Sequence, residues 1–162
     1  MKRELEKLVE AAWKAESSEE LWCERATDVG YVDGQKRLAR HNLAVAKALN
    51  KLNGVVKPSN GWEKCPDWVI TACYYSMHRS VLAFIASKGW KGRGHEATLG
   101  KLIEILREEG KLRLAEEIGD KVNEARKLRI AASYTVFSPE EFQLKIRPLL
   151  VDVELILERL GV

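Results

Sequence analysis

Residues 67–87, DWVITACYYSMHRSVLAFIAS, decide the fold. Pro66 precedes the stretch and Gly89 follows it, so both ends carry helix punctuation. At 3.6 residues per turn it predicts a helix of about six turns. Trp68, Val69, Ile70, Ala72, Cys73, Tyr74, Tyr75, Met77, Val81, Leu82, Ala83, Phe84 and Ile85 place apolar side chains on nearly every face. A helix that is apolar all round is enclosed by other elements, so this one is read as the centre of a helical bundle. Thr71, His78 and Arg79 break the pattern and share a face with Tyr75 at i+3 and i+4 spacing. That polar strip is the first place to look for function.

Upstream, Gln35–Leu52 is an amphipathic helix, with Gly30 and Asp33-Gly34 as punctuation before it and Asn53-Gly54 ending it. The segment 54–66, GVVKPSNGWEKCP, has loop composition, with Trp62 read as an anchor onto the bundle and, as the alternative, a binding aromatic. Residues 2–28 predict helix. Ser17 and Ser18 before Glu19 and Glu20 offer an N-cap at which one helix breaks and a second continues through Trp22 and Ala26. Downstream, GWKGRGH (89–95) reads as a flexible basic turn, followed by an amphipathic helix over 96–109 and another over 112–134. Ser138 with Glu141 makes a capping box and Pro139 takes the first helical position of a final helix, which Pro148 should kink or split. No strand pattern or internal repeat is visible. The expected fold is all-α: an antiparallel up-and-down bundle of four to five core helices with an added N-terminal helical segment. The whole chain, 1–162, forms one domain, with 1–30 as the addition and 35–162 as the core bundle.

At 162 residues, with 46% hydrophobic and 31% charged residues, the chain can bury a core and is globular rather than disordered. A net charge of +3 is too small to define a nucleic-acid binder. The three cysteines form no CxxC pair, which argues against a disulfide framework or a zinc site and for a reducing cytoplasmic setting. The N-terminus has no apolar signal core, and His78 and Arg79 in the middle of the longest apolar stretch argue against a membrane span.

Few residues have the spacing of a chemical motif. Arg129 falls on the 3–4 seam of the 112–134 helix (Ala115, Ile118, Val122, Ala125, Arg129, Ala132), or at its edge if Leu128 defines the seam. It is either a boundary arginine with a snorkelling stem or a charge facing a ligand or polar pocket. Lys91, Arg93 and His95 precede a helix start, where open backbone N–H groups favour an anion. The GxxxxGK[ST] order of a phosphate loop is absent. His41, His78 and His95 have no ligand spacing, so no metal and no cofactor are assigned. Ser76, Ser80 and Cys73 lack a nucleophile context, and no catalytic residue is assigned.

YYSMHRSVLAFIASKG, a Gly-rich turn with His95, an amphipathic helix, then ARKLRIAASYTVFSPEEF and a last helix resemble the HEPN domain family, over roughly Gln35 to the C-terminus. The resemblance implies a bundle of four or five helices, often homodimeric, working in nucleotide or RNA binding. Many family members are metal-independent ribonucleases, in which an arginine, then four to six residues, then a histidine make the motif, and two copies meet across the dimer as a composite site. Here Arg129 fills the arginine position, Tyr134 stands where the histidine should be, and Ile130 replaces the polar residue after the arginine. A tyrosine with a pKa near 10 is a poor general base at neutral pH, so a phosphate contact is carried over to Arg129 and catalysis is not. The resemblance further implies a small nucleotidyltransferase as partner in a toxin–antitoxin-like pair. The expected protein is a non-catalytic nucleotide or RNA binder using Arg129 and Tyr134, with His78, Arg79, Arg93 and His95 as further contacts. The alternatives are a metal-independent ribonuclease and a pure dimerisation or interaction module.

Overall fold

The computed structural model describes residues 3–23, 27–55, 66–134 and 138–162. Six helices and two short strands follow in the order α1 (Arg3–Ser17), β1 (Leu21–Cys23), α2 (Val29–Val55), α3 (Pro66–Ser87), β2 (Trp90–Gly92), α4 (His95–Glu108), α5 (Leu112–Tyr134) and α6 (Pro139–Arg159). The fold is the expected all-α bundle. α3 is its centre: it packs against α2, α4, α5 and α6. Val69, Ile70, Cys73, Met77, Val81 and Ile85 are fully buried along it. Each such side chain contributes about 1.5–3 kcal/mol of transfer free energy, which is why a helix apolar on all faces ends at the middle. Among the described residues no helix is long and apolar enough to cross a membrane.

α1 lies on α4, and the joint depends on one glycine. A Cβ on Gly100 would stand 1.9 Å from the Leu8 carbonyl oxygen and 3.1 Å from the Ala12 Cβ, so the two backbones nearly touch there. Around this contact Lys101 is buried, sits 3.7 Å from the Trp90 ring centroid and pairs with Glu16 and Glu104. Trp13 Nε1 donates to Glu104 Oε1 at 2.7 Å. α1, β2 and α4 are thereby tied by one partly buried cation.

Several sequence expectations are corrected. Ser17 and Ser18 do not cap a new helix. Their hydroxyls donate back to the carbonyls of Trp13 and Ala15 and so close α1. Glu19 then takes a left-handed φ of 58° and the chain enters β1. β1 pairs antiparallel with β2, Leu21 opposite Gly92 and Cys23 opposite Trp90. The supposed flexible turn 89–95 is therefore half strand, and the chain is not strand-free. α2 begins six residues early, because Asp28 accepts from the Tyr31 N–H at 3.0 Å, as an N-cap does, and Gly30 and Gly34 sit inside the helix. Trp62, Cys65 and Ala26 lie outside the described residues.

α6 opens on the expected capping box: Glu141 N donates to Ser138 Oγ at 3.2 Å and Ser138 N to Glu141 Oε2 at 2.8 Å. Ser138→Ala should lower unfolding free energy by about 1 kcal/mol, read by urea titration; a change within error would show that the box adds nothing. α6 runs unbroken through Pro148 instead of splitting. Pro148 and Leu144 are both exposed, so water can take the carbonyl that the proline leaves unpaired.

Candidate functional site

Where α3 crosses the start of α4 and the second half of α5, aromatic and cationic side chains meet. α3 supplies Tyr74 and His78 from one i, i+4 row and Tyr75 and Arg79 from the next. The β2 turn delivers His95 as the first residue of α4, and α5 supplies Arg126 and Arg129, three residues apart. The His78 and His95 ring centroids are 4.2 Å apart. Tyr74 Oη lies 2.7 Å from His95 Nδ1; the phenol donates in the Nε2–H tautomer and accepts in the Nδ1–H one. The Tyr74 ring runs nearly parallel to that of His78, at 5° with centroids 6.0 Å apart.

Arg129 lies over this floor. Its Cζ is 5.3 Å from the Tyr74 ring centroid and 5.9 Å from that of Tyr75, a cation–π arrangement on two rings. Arg129 forms no ion pair among the described residues, and its buried Nε has no hydrogen-bond partner; neither has the buried Nε of Arg126. Arg126 Nη2 pairs with Glu96 Oε1 at 2.8 Å, and Arg79 Nη1 donates to Gln35 Oε1 at 3.0 Å. Three guanidiniums thus converge on the site, and among the described residues only Arg126 of the three has a carboxylate partner, Glu96.

The titratable groups register this field. Burial, with the charges of Arg129, Arg126 and Arg79, holds His95 below the ordinary histidine range. Burial, with His95 and Arg79 beside it, takes His78 down to about 3. Burial pushes the Tyr74 phenol up to about 12 against the opposing pull of Arg129 and Arg126. At neutral pH both imidazoles and the phenol are uncharged, the guanidiniums are not, and the site is net positive. His95 also lines an open groove of about 520 Å³ between the end of α1 and the start of α4, with Lys14, Ser18, Glu20, Gly94 and Glu96. Gly94 gives α4 no side-chain cap, so the first-turn N–H groups face this groove's end of the helix unpaired by a cap.

Four of the residues singled out from the sequence, His78, Arg79, His95 and Arg129, come together here. Two do not. Tyr134, the last residue of α5, is 87% exposed and makes none of the ring or cation contacts of this cluster. Arg93 donates its backbone N–H to Glu20 O at 3.0 Å and lies 5.6 Å from the Trp22 ring centroid, serving the strand pair. Sequence reasoning took Tyr74 for core and passed over Arg126, Gln35 and Glu96. The one available signal was the i, i+3 spacing of Arg126 and Arg129. Ser76 Oγ donates to Ala39 O at 2.7 Å and Ser80 Oγ to Ser76 O at 2.9 Å, while burial pushes the Cys73 thiol up to about 12. Among the described residues no three His, Cys, Asp or Glu side chains cluster as metal ligands would.

A family model for the HEPN domain matches residues 60–161, well over half of the chain, and the chain belongs to that family. The match takes in α3 to α6 and leaves α1, β1 and α2 before it. No curated protein and no solved structure matches the chain.

Proposed function

We propose that the protein binds the phosphate of a nucleotide or an RNA at the Arg129 site and does not cut it. The observation that carries this is Arg129 itself: a guanidinium set on two tyrosine rings, without an acid partner among the described residues, beside Arg126, Arg79 and a neutral His95. A guanidinium matches two phosphate oxygens with its planar fork, and a net positive, half-enclosed site makes that contact stronger than in open water. Membership of the HEPN family fits a nucleotide- or RNA-related role. The same membership supports a homodimer and a small nucleotidyltransferase as partner in a toxin–antitoxin-like pair.

One observation favours a second reading, a metal-independent ribonuclease. His95 is half-buried, bonded to Tyr74 and kept neutral beside Arg129, so it is a proton acceptor near a phosphate contact. Calorimetric titration with nucleotides and short RNAs, with metal-free incubation on labelled RNA, separates the readings. Arg129→Ala should weaken binding by roughly 10- to 100-fold, the worth of a charge-assisted hydrogen bond, with Arg129→Lys recovering part of the loss. Wild-type affinity in Arg129→Ala sinks the proposed site. RNA cleavage that Arg129→Ala and His95→Ala abolish replaces binding by catalysis.

A further inference from the structure

We infer that the outward face of α2 is a track for the sugar–phosphate backbone of a single-stranded nucleic acid. α2 carries five of the chain's 27 Lys and Arg (Lys36, Arg37, Arg40, Lys47, Lys51) and one of its 24 Asp and Glu (Asp33). The helix is therefore +4, and the remainder of the chain, with a total of +3, is −1. The modest net charge of the sequence hides a strong local one.

The charge is also ordered. Arg37, Arg40, Ala44, Lys47 and Lys51 advance by three and four residues, one straight row on a helix, and all five are exposed, as is His41 beside them. At 1.5 Å per residue the row is about 21 Å long. The opposite row, Val32, Gln35, Ala39 and Ala46, is buried against the bundle. Arg37, Arg40 and Lys51 form no ion pair among the described residues. Lys47 pairs with Glu154 at 2.5 Å, but both side chains are about half exposed, and such a surface pair is worth little and exchanges readily.

Four cations in one line, without an intervening acid, cost the fold self-repulsion that a line of phosphates would relieve. Beside the row Leu38 and Leu52 are exposed, but they stand fourteen residues apart on the helix, too little apolar surface to seat this face in a bilayer. Two separated leucines do not form the central aromatic or apolar cluster that anchors a protein interface. A duplex offers two lines of phosphates; this face offers one line of cations. The inference does not need the Arg129 site, because the buried row of α2, not the exposed one, faces α3.

The test is fluorescence anisotropy with a labelled oligouridylate of about twenty nucleotides over a range of salt. Each phosphate contact on a single strand contributes about −0.7 to the slope of log K against log salt. The combined variant Arg37→Gln, Arg40→Gln, Lys51→Gln should flatten that slope by about 2 and weaken binding about a hundredfold at 0.1 M salt. Its circular dichroism and melting temperature should match wild type, since the positions are exposed. Arg129→Ala should keep most of the slope. The inference is overturned if the triple variant binds like wild type, if wild type binds no oligouridylate, or if Arg129→Ala alone removes the slope. Tighter binding to a duplex of equal length, or to phosphatidylserine vesicles, would overturn the single-strand assignment.

Discussion

Gly100→Ala is expected to cost about 3 kcal/mol of unfolding free energy or more, at the upper end of overpacking effects. The added methyl would lie 1.9 Å from the Leu8 oxygen and 2.6 Å from the Leu8 carbonyl carbon. These are backbone atoms inside α1, so no rotamer change relieves the clash and α1 must move off α4. That motion loosens the burial of Leu5, Leu8 and Ala12 and the Lys101 pairs with Glu16 and Glu104. Gly34 is the control. A Cβ there meets nothing within 4 Å and the residue is inside α2, so Gly34→Ala should gain up to about 1 kcal/mol. Urea unfolding of the two variants decides the matter: a Gly100→Ala protein as stable as wild type would mean that α1 is not seated as described.

The second large effect is acid sensitivity from His78. Its folded pKa of about 3 lies below the ordinary 6.5. Between those values the unfolded chain holds a proton that the native protein refuses, so stability rises with pH in this window and is lost as pH falls through it. The loss reaches about 1.4 kcal/mol per pH unit for one such group. Above about pH 6.5 the histidine is neutral in both states and contributes no slope. His95, also held low, acts in the same direction. In urea titrations from pH 7 to pH 4, His78→Gln should show a visibly flatter decline than wild type, whatever its stability at pH 7. Parallel declines would mean that the imidazole takes up its proton in the folded state at an ordinary pH.

The fold was legible where one period dominates. The 67–87 stretch is apolar all round and is the centre; Ser138, Pro139 and Glu141 mark a helix start and are one. Competing local options were not legible. Serines at 17 and 18 suit a helix start or a helix end, and only the left-handed Glu19 and the β1–β2 pairing decide it. Glycines at 30 and 34 read as breaks, but packing of α2 against α3 outweighs a cost of about 1 kcal/mol each. For the site, the sequence singled out His78, Arg79, His95 and Arg129 one by one. That the β2 turn carries His95 back onto His78 is a tertiary fact with no local sign. Tyr134 was chosen by its position after Arg129; five residues is about 500° of helix rotation, which turns it away from the Arg129 face.

The seat of α1 on α4 also bears on the order of events in folding. Trp13 and Glu104 are 91 residues apart in the chain, and Glu6 and Arg107 are 101 apart, whereas Ser76 and Ala39, which join α3 to α2, are 37 apart. Closing the longer loop costs more chain entropy before any contact repays it. The α2–α3 hairpin and its neighbours should therefore assemble first, with α1 arriving after the rate-limiting step. A defect at Gly100 would then act mainly by hastening departure from the native state, leaving the refolding arm of a stopped-flow chevron close to that of wild type.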